Sequence, residues 1–600
     1  MELTNQMIMV MAMIGIAVFL FIIEWVRVDV VAIIMMVTLP LLGLVTPKQA
    51  FIGLSSNAVV SIIAVIIIGA GLDKTGIINR LVAPVMRLAG ESQSRITIMI
   101  AGTVAVISSF MQNIGAAALF LPAIQRVSKS VKIPLSQLLM PIGFCAILGG
   151  TITLVGCSPL ILLNDLMVPF KLKPFGLFDV TPIGLALVGS GILYFILFRG
   201  LVLPRGDGQD ADLSESADHL ARYRHLGESR EVKAPENLKE EPSLRDLRDK
   251  FLVNVVAITK NGGKDKIFSP VMDEKITSDN HYLVFAKQEN IDRLAHDIGL
   301  EVKSDLDVFK ADMSPDISGT LEAVVAPRSD LVGKTLQQAH FRDKYNLNAL
   351  AIYRSDRVFY AGLGGVPLRI GDAILLQGSW RRFQILRESR DLILTTPLDA
   401  EVMKPEKAMW AGLWLAVALT MIMAFHIQLS VALMTGALGM IITQVLSIDE
   451  AYEAVDWRTI FLLAGLIPLG IATEKTGTAA YIAQAVLSML GQVSPLVLLT
   501  VIGILSTIFT LVISNVGATV LLVPLVVNMA IGAGTDPRMA ALVVGIATSN
   551  SFMLPTHQVN ALYMGPGRYR SVDFIKAGSI MSVVFLVVMI GMIYLFYGVK

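Results

Sequence analysis

Long apolar runs dominate the chain: Met7 to Ile23, Pro182 to Phe198, Met409 to Phe425, Leu429 to Leu446 and Ala577 to Tyr597. Each is long enough to cross a hydrocarbon core of roughly 30 Å as a helix. The pattern predicts about eleven crossings, counting broken and re-entrant ones. The first run lacks the basic start and small-residue cleavage site of a signal peptide, and polar Glu24 to Asp29 leads straight into another apolar run, so a retained first helix is expected.

The pattern breaks near Pro204, where charge-rich sequence begins, and resumes near Ala408. This predicts a membrane segment over 1–203, a linker over 204–236, a soluble insert over 237–400 and a second membrane segment over 401–600. Inside the insert, Leu252 to Ile258, Tyr282 to Ala286, Leu347 to Tyr353 and Ala373 to Gly378 read as strands, with a helix over Glu289 to Ile298. Two small α+β units follow, 237–303 and 304–400. Arg199, Arg205, Lys404 and Lys407 flank the junctions, which places the insert in the cytoplasm of a multi-pass protein of the cell (inner) membrane.

The membrane segments repeat each other. Lys74-Thr75-Gly76 returns 401 positions later as Lys475-Thr476-Gly477, and Gln49-Ala50-Phe51 returns at the same offset as Glu450-Ala451-Tyr452. Asn113-Ile114-Gly115-Ala116 with Pro122 returns 402 positions later as Asn515-Val516-Gly517-Ala518 with Pro524, and Pro159 and Asn164 are echoed by Pro555 and Asn560. Such a repeat is parallel or inverted; an odd number of crossings per half makes it inverted.

Composition sharpens this picture. Of 600 residues 54% are hydrophobic and only 16% charged, so the chain needs the lipid bilayer as a partner. A net charge of +1 gives no nucleic-acid surface, and Cys145 and Cys157, both in apolar sequence, give no disulfide framework or zinc site. No nucleophile, base and orienting group occur together, so an enzyme is not expected.

Four clusters of small polar residues interrupt apolar sequence at equivalent places in the two copies: Ser108 to Gly115, Gly149 to Ser158, Ser514 to Gly517 and Thr548 to Ser551. Helix breaks inside a bilayer are tolerated only around a protein-lined site. Half-helix N-termini there can hold an anion without buried arginines, while side-chain oxygens and freed carbonyls suit a hard cation such as sodium. For any one cluster close helix packing accounts for the small residues equally well, but four in duplicated register favour a site at the repeat interface. His557 and Asp165 are possible proton-coupling groups, with packing the competing role. Arg568 and Arg570 read more readily as membrane-edge anchors than as anion guides.

These residues resemble the divalent anion:sodium symporter family, whose paired re-entrant hairpins carry Ser-Asn-Thr tips. The matching tips here are Gln112-Asn113-Ile114 and Ser514-Asn515-Val516. Gly149-Gly150-Thr151-Ile152-Thr153-Leu154-Val155-Gly156, Ser551-Phe552-Met553-Leu554-Pro555 and Gly565-Pro566-Gly567-Arg568-Tyr569 with Asp573 extend the likeness over both membrane segments. Pro327 to Leu336, Ala349 to Arg354 and Arg369 to Gly378 resemble the TrkA C-terminal (RCK-C) domain, and 238–300 resembles it in degenerate form. The resemblance implies a homodimeric elevator-type symporter with inverted repeats, re-entrant hairpins and broken helices, no cofactor, sodium as coupling ion and a cytosolic small-molecule ligand on the insert at residues unknown within 304–400. It implies that Asn113, Gly115, Ser514, Asn515, Gly517 and Thr519 bind the small anionic substrate, and that Ser109, Asn113, Gly150, Thr151, Ser514, Asn515, Thr548 and Ser549 bind sodium. The sequence departs from the dicarboxylate pattern: Ile114 and Val516 replace threonine, Gln112 replaces serine, and Ser158-Pro159-Leu160 and Thr556-His557-Gln558 stand where Pro-Pro-Asn is expected. These departures count against a dicarboxylate, and members of the family that carry inserted TrkA C-terminal domains resemble sulfate-type permeases, so the resemblance implies a sulfate-like oxyanion, with a dicarboxylate:sodium symporter the alternative. A TrkA-C-regulated cation channel or transporter is the rival of another class, but Thr153-Leu154-Val155-Gly156 runs on into Cys157 and lacks the repeated filter loop a channel needs.

Overall fold

The computed structural model describes residues 3–23, 25–77, 92–131, 133–204, 228–235, 238, 241–260, 265–278, 280–303, 305–310, 312–313, 318–327, 329–354, 357–359, 363–387, 390–395, 403–491 and 494–598. Most of the expected linker, with Arg205, and Arg328 of the second insert motif lie outside them. The chain forms two units, Met1–Asp212 with Lys404–Lys600, and Leu213–Met403. Among the described residues eight helices are long and apolar enough to cross a membrane. This is a multi-pass α-helical membrane protein carrying a sheet-containing insert.

The first membrane half runs α1 (Asn5–Ile23), α2 (Val28–Leu41), α3 (Asn57–Lys74), α4 (Gln93–Ser108), α5 (Asn113–Val131), α6 (Ser136–Gly149), α7 (Ser158–Met167) and α8 (Thr181–Val202). The second runs α9 (Ala408–Met423), α10 (Leu429–Ile442), α11 (Trp457–Lys475), α12 (Thr478–Leu490), α13 (Pro495–Val512), α14 (Asn515–Gly532), α15 (Pro537–Ala547), α16 (Gln558–Met564) and α17 (Ser571–Tyr597). The duplication reaches the capping chemistry. Thr46 and Ser447, 401 positions apart, each accept the backbone N–H three residues on and close a capping box with Gln49 and Glu450. Helix α10 is shorter than the apolar run predicts, because Gln444 turns the backbone to a positive φ of 57°.

The repeat is inverted, and side-chain contacts fix its sense. Ser430 N–H donates to Asn57 Oδ1 at the start of α3 and α10, while Lys74 at the end of α3 pairs with Glu450 just past the end of α10. Helices α3 and α10 are thus parallel, and α11, which follows α10 through a short link, runs against α3, its own copy. Lys404, where the chain re-enters the membrane unit, joins this point: its N–H donates to the Lys74 carbonyl at 2.7 Å and its Nζ to Glu450 at 3.2 Å. Burial alone would raise the Glu450 carboxyl, but the Ser447 N–H and the Lys404 and Lys74 ammoniums outweigh it and hold it down at about 2.

Close packing depends on glycines that bring backbones together. A Cβ on Gly149 of α6 would lie 2.5 Å from the Ala105 carbonyl oxygen of α4, and one on Gly465 of α11 2.4 Å from the Ala32 carbonyl oxygen of α2. Helices α6 (14 residues), α7 (10), α15 (11) and α16 (7) are each too short to cross a bilayer of roughly 30 Å. They are the arms of two broken helices, split at 150–157 and 548–557.

The insert holds two five-stranded antiparallel sheets: β1 (Glu228–Lys233), β2 (Asn254–Lys260), β3 (Asp265–Phe268), β4 (His281–Ala286) and β5 (Glu301–Val302), then β6 (Ser318–Val325), β7 (Asn348–Arg354), β8 (Arg357–Phe359), β9 (Ala373–Ser379) and β10 (Leu392–Leu394). Their orders, β3-β2-β4-β1-β5 and β10-β6-β9-β7-β8, are the same arrangement read from opposite edges. Both carry a bulge at the same place, Val255/Ala257 in β2 and Ala349/Ala351 in β7. Strand β2 starts at Asn254 rather than Leu252 because Leu252 takes a positive φ of 58° to close the preceding helix. It is buried on both faces: Val255 packs in its own unit's core, Val256 and Ala257 against Leu350 and Ala351 of the second. The Gly371-Asp372 turn is structural, since Asp372 is buried and holds Arg354 through two bonds of 2.8 and 2.7 Å.

Candidate transport site

The re-entrant tips of the two halves meet. A cavity of about 440 Å³ is lined by Gln112, Asn113 and Ile114 from the first tip, Ser514, Asn515 and Val516 from the second, Gly156 to Pro159 from the first break and Thr556 to Gln558 from the second. The start of α11, with Asp456, Arg458, Thr459 and Leu462, Val28 of α2, and Thr510 and Ile513 ahead of the second tip complete the wall. Asp456 caps the start of α11 just after the short helix Ile448–Ala454 that carries Glu450, so this wall lies toward the end of the membrane unit where Lys404 enters.

Each tip asparagine is held by a hydroxyl from the preceding helix. Ser108 Oγ lies 2.8 Å from Asn113 Oδ1 and 2.7 Å from the Ala146 carbonyl oxygen of α6. In the second copy Thr510 Oγ1 lies 2.7 Å from Asn515 Oδ1 and 2.6 Å from the Thr548 carbonyl oxygen. A hydroxyl has one proton and here faces two acceptors. Each cluster therefore gathers a hydroxyl, an amide oxygen and a carbonyl near a helix end, the Ala146 carbonyl also taking the Gly150 N–H at 3.3 Å; such an all-oxygen set suits a hard monovalent cation. Gly150 makes room for the first: a Cβ there would lie 2.3 Å from Asn113 Oδ1.

The other expected residues fall into three groups. Asn113, Ser514 and Asn515 line the cavity, and Ser514 also caps α14 by accepting the Gly517 N–H at 3.1 Å. Gly150, Thr548 and Thr519 sit behind the tips; Thr519 Oγ1 is 2.8 Å from the Asn515 carbonyl oxygen and 3.2 Å from Thr548 Oγ1. Gly115 and Gly517 lie in the first turns of α5 and α14 and do not line the wall, and Thr151, in the first break, donates to the Leu148 carbonyl of the preceding α6. Ser109 turns its hydroxyl to the Val106 carbonyl, its own carbonyl taking the Thr153 hydroxyl, and Ser549 reaches Cys157 Sγ at 3.8 Å. Ser108, Thr510 and Ala146, not singled out by sequence, are the groups in contact with the asparagines or their hydroxyls. The signal was present: Ser108 and Thr510 are hydroxyls kept 402 positions apart, whereas Ser109 aligns with Leu511.

Asp165 accepts the Ala58 N–H at 2.8 Å and so caps α3 from α7. Arg570 begins α17, its backbone N–H bonded to Asp573 at 2.8 Å. A second cavity, of about 520 Å³, lies within the insert and draws on both α+β units, with Arg245, Arg248 and Asp273 from the first and His340, Arg342 and Gly364 from the second. Arg248 Nε is buried there with no hydrogen-bond partner among the described residues, and burial lowers the guanidinium's pKa.

The model of a family described as citrate transporter matches residues 18–545. The chain belongs to that family. An uncharacterized transporter of Synechocystis sp. is 31% identical over 99% of this chain and 98% of its own length. The uncharacterized transporter YfbS of Escherichia coli is 28% identical over 98% of this chain and 99% of its own. Sodium/sulfate cotransporter 1 of Chlamydomonas reinhardtii is 24% identical over 59% of this chain and 41% of its own. The protein is thus a membrane transporter of the citrate transporter family and not an enzyme.

Proposed function

We propose that this transporter couples entry of a small divalent oxyanion of the sulfate type to sodium, by an elevator form of alternating access in a homodimer. The observation that carries the reading is the meeting of two inverted tips on one cavity, each with an oxygen cluster directly behind it. Sodium held by Ser108, Asn113 and the Ala146 carbonyl on one side, and by Thr510, Asn515 and the Thr548 carbonyl on the other, orders the tips. The asparagine amides then face an anion in the cavity. With the insert in the cytoplasm, as its basic flanks favour, the wall at Asp456 and Arg458 lies toward the cytoplasmic side.

The family's description favours a second reading, a dicarboxylate:sodium symporter. Against it, Ile114 and Val516 place apolar groups on the wall where hydroxyls would meet carboxylates. Uptake of radiolabelled sulfate and succinate into liposomes, with and without an inward sodium gradient, decides. Sodium-driven sulfate uptake is expected; succinate uptake alone would restore the second reading, and flux of neither would overturn both.

The insert is read as a regulatory module for a small anionic cytosolic ligand, bound in the cavity shared by its two units. Arg248 Nε, buried with no partner among the described residues and set beside Arg245 and Arg342 in a wall that also holds Asp249 and Asp273, favours a ligand with hydrogen-bond acceptors. Arg248→Ala is expected to leave basal uptake within about twofold while abolishing any response to a cytosolic extract. Unchanged response in that variant would remove the cavity from the regulatory reading.

A further inference from the structure

Two hydrogen bonds join helices that carry a tip or an arm of a break to helices that carry neither. The Ala58 N–H, at the start of α3, donates to Asp165 Oδ2 of α7 at 2.8 Å, and Asn528 Nδ2 of α14 donates to Glu474 Oε2 near the end of α11 at 3.2 Å. Both lie on the face of the membrane unit away from the cavity. Helix α3 has 18 residues and so spans roughly 27 Å, and its far end, Lys74, sits beside Glu450 on the cavity's side. Helix α11 starts at the cavity and runs away from it to Glu474 and Lys475.

Each partner of the Asp165 bond is itself tied down. Asn57, next to Ala58, accepts the Ser430 N–H of α10 at 3.2 Å. Asn164, next to Asp165, bonds the Phe175 backbone in both directions at 2.8 and 2.9 Å, and Arg538 at the start of α15 lies 4.1 Å from the centre of the Phe175 ring and donates to the Lys173 carbonyl at 3.0 Å. The bond therefore bridges two groups of helices, α3 with α10 and α7 with α15. The inverted copy has no such bridge. Thr459 stands 401 positions after Ala58, and Ala561, which has no carboxylate, stands 396 positions after Asp165. The start of α11 is capped from within instead: Asp456 Oδ1 accepts the Arg458 N–H at 3.1 Å and its Oδ2 the Thr459 hydroxyl at 2.6 Å.

We propose that Asp165 is a latch: by capping α3 from α7 it holds shut the face away from the cavity, and it must let go before the site can open there. This rests on the alternating-access reading above and names the contact that sets its resting state. A cap supplied by another helix is lost when the two helices part, whereas a cap supplied from within, as at Asp456, survives the movement. With the trans cap on one face alone, the resting protein favours the state in which the cavity opens toward the side where Lys404 enters.

The test reads which face the cavity opens to. Cys157 lines the cavity and Cys145 is fully buried, so the native Cys157 thiol reports cavity access. A charged methanethiosulfonate that does not cross membranes is applied to the full-length protein in right-side-out and inside-out vesicles. Wild type is expected to label at Cys157 mainly from the side where Lys404 enters. Asp165→Ala should slow that labelling and speed labelling from the other side by about fivefold, the factor for losing one helix cap, while Asp165→Asn, which keeps an acceptor oxygen, stays nearer wild type. Labelling of Asp165→Ala at wild-type rates from both sides would overturn the latch. The pair Ala58→Cys with Asp165→Cys, joined by a short bis-methanethiosulfonate, tests the same boundary without relying on a weakened contact. Joining is expected to cut uptake of whichever of sulfate and succinate the wild type carries by about tenfold or more, relative to wild type given the same reagent, with recovery on reduction. Uptake that survives complete joining would show that α3 and α7 never part, and would overturn the latch together with the elevator reading. A block by the joined pair with unchanged labelling in Asp165→Ala would remove the latch alone.

Discussion

Asn515→Ala is expected to cut sodium-driven uptake by about 10- to 100-fold, and Asn113→Ala by a similar factor, with the protein still eluting as wild type in detergent. The reason lies in what each amide joins. On one side its oxygen meets a hydroxyl that also faces a carbonyl near a helix end, at 2.6 to 2.8 Å in both copies. On the other it faces the cavity. Truncation removes a ligand from the cation cluster and a donor from the anion wall together. The half-saturating sodium and the half-saturating anion concentrations should therefore both rise, whereas loss of a purely structural bond would lower protein yield and leave both constants near wild type. Wild-type coupling in both variants would remove the tips from the site.

The helix before each tip is otherwise built to survive that change. Ser108 keeps the Ala146 carbonyl and Thr510 the Thr548 carbonyl, so neither hydroxyl is stranded when the asparagine goes. A double variant is expected to fall no further than the detection limit of the worse single one if the two clusters act on one transport step.

Much of this architecture was legible in the chain because a duplicated sequence is read twice. Residues kept at offsets of 401 and 402 marked the tips and the interior prolines Pro122 and Pro524, while the capping boxes at Thr46 and Ser447 emerged only from the structure. The breaks were legible because a run of Gly, Ser and Thr that interrupts a helix in lipid must be lined by protein. What was not legible is direction. At the end of α4 two adjacent serines differ only in which side of the helix they face: Ser108 turns to α6 and Asn113, Ser109 back to Val106. A helix turns about 100° per residue, so neighbouring side chains never share a face. Asp165, weighed as a coupling group, also accepts the Ala58 N–H at the start of α3, a contact that no pattern in the sequence announces. In the insert, the first unit keeps the strand order and bulge of the second although their sequences differ, because burial of β2 on both faces constrains shape more than identity.

Gly150→Ala and Gly149→Ala, one methyl each on adjacent residues, are expected to fail in opposite ways. A Cβ on Gly149 meets the backbone of Ala105 at 2.5 Å, and backbone cannot swing aside. The α4–α6 contact must open, at a typical overpacking cost of about 1–3 kcal/mol, so a lower melting temperature and lower yield are expected. A Cβ on Gly150 meets the Asn113 side chain, at 2.3 Å from Oδ1 and 3.0 Å from Nδ2. A side chain can rotate away, and doing so takes its oxygen from Ser108 and from the cation. Gly150→Ala should keep the wild-type melting temperature within a few degrees and raise the half-saturating sodium concentration by about tenfold or more. Sodium-induced stabilisation, measured as the shift in melting temperature between sodium and potassium buffers, separates the cases without any transport assay: it should survive in Gly149→Ala and shrink in Gly150→Ala. If Gly150→Ala melts early and keeps its sodium shift, the glycine serves packing alone and the first oxygen cluster is not where sodium binds.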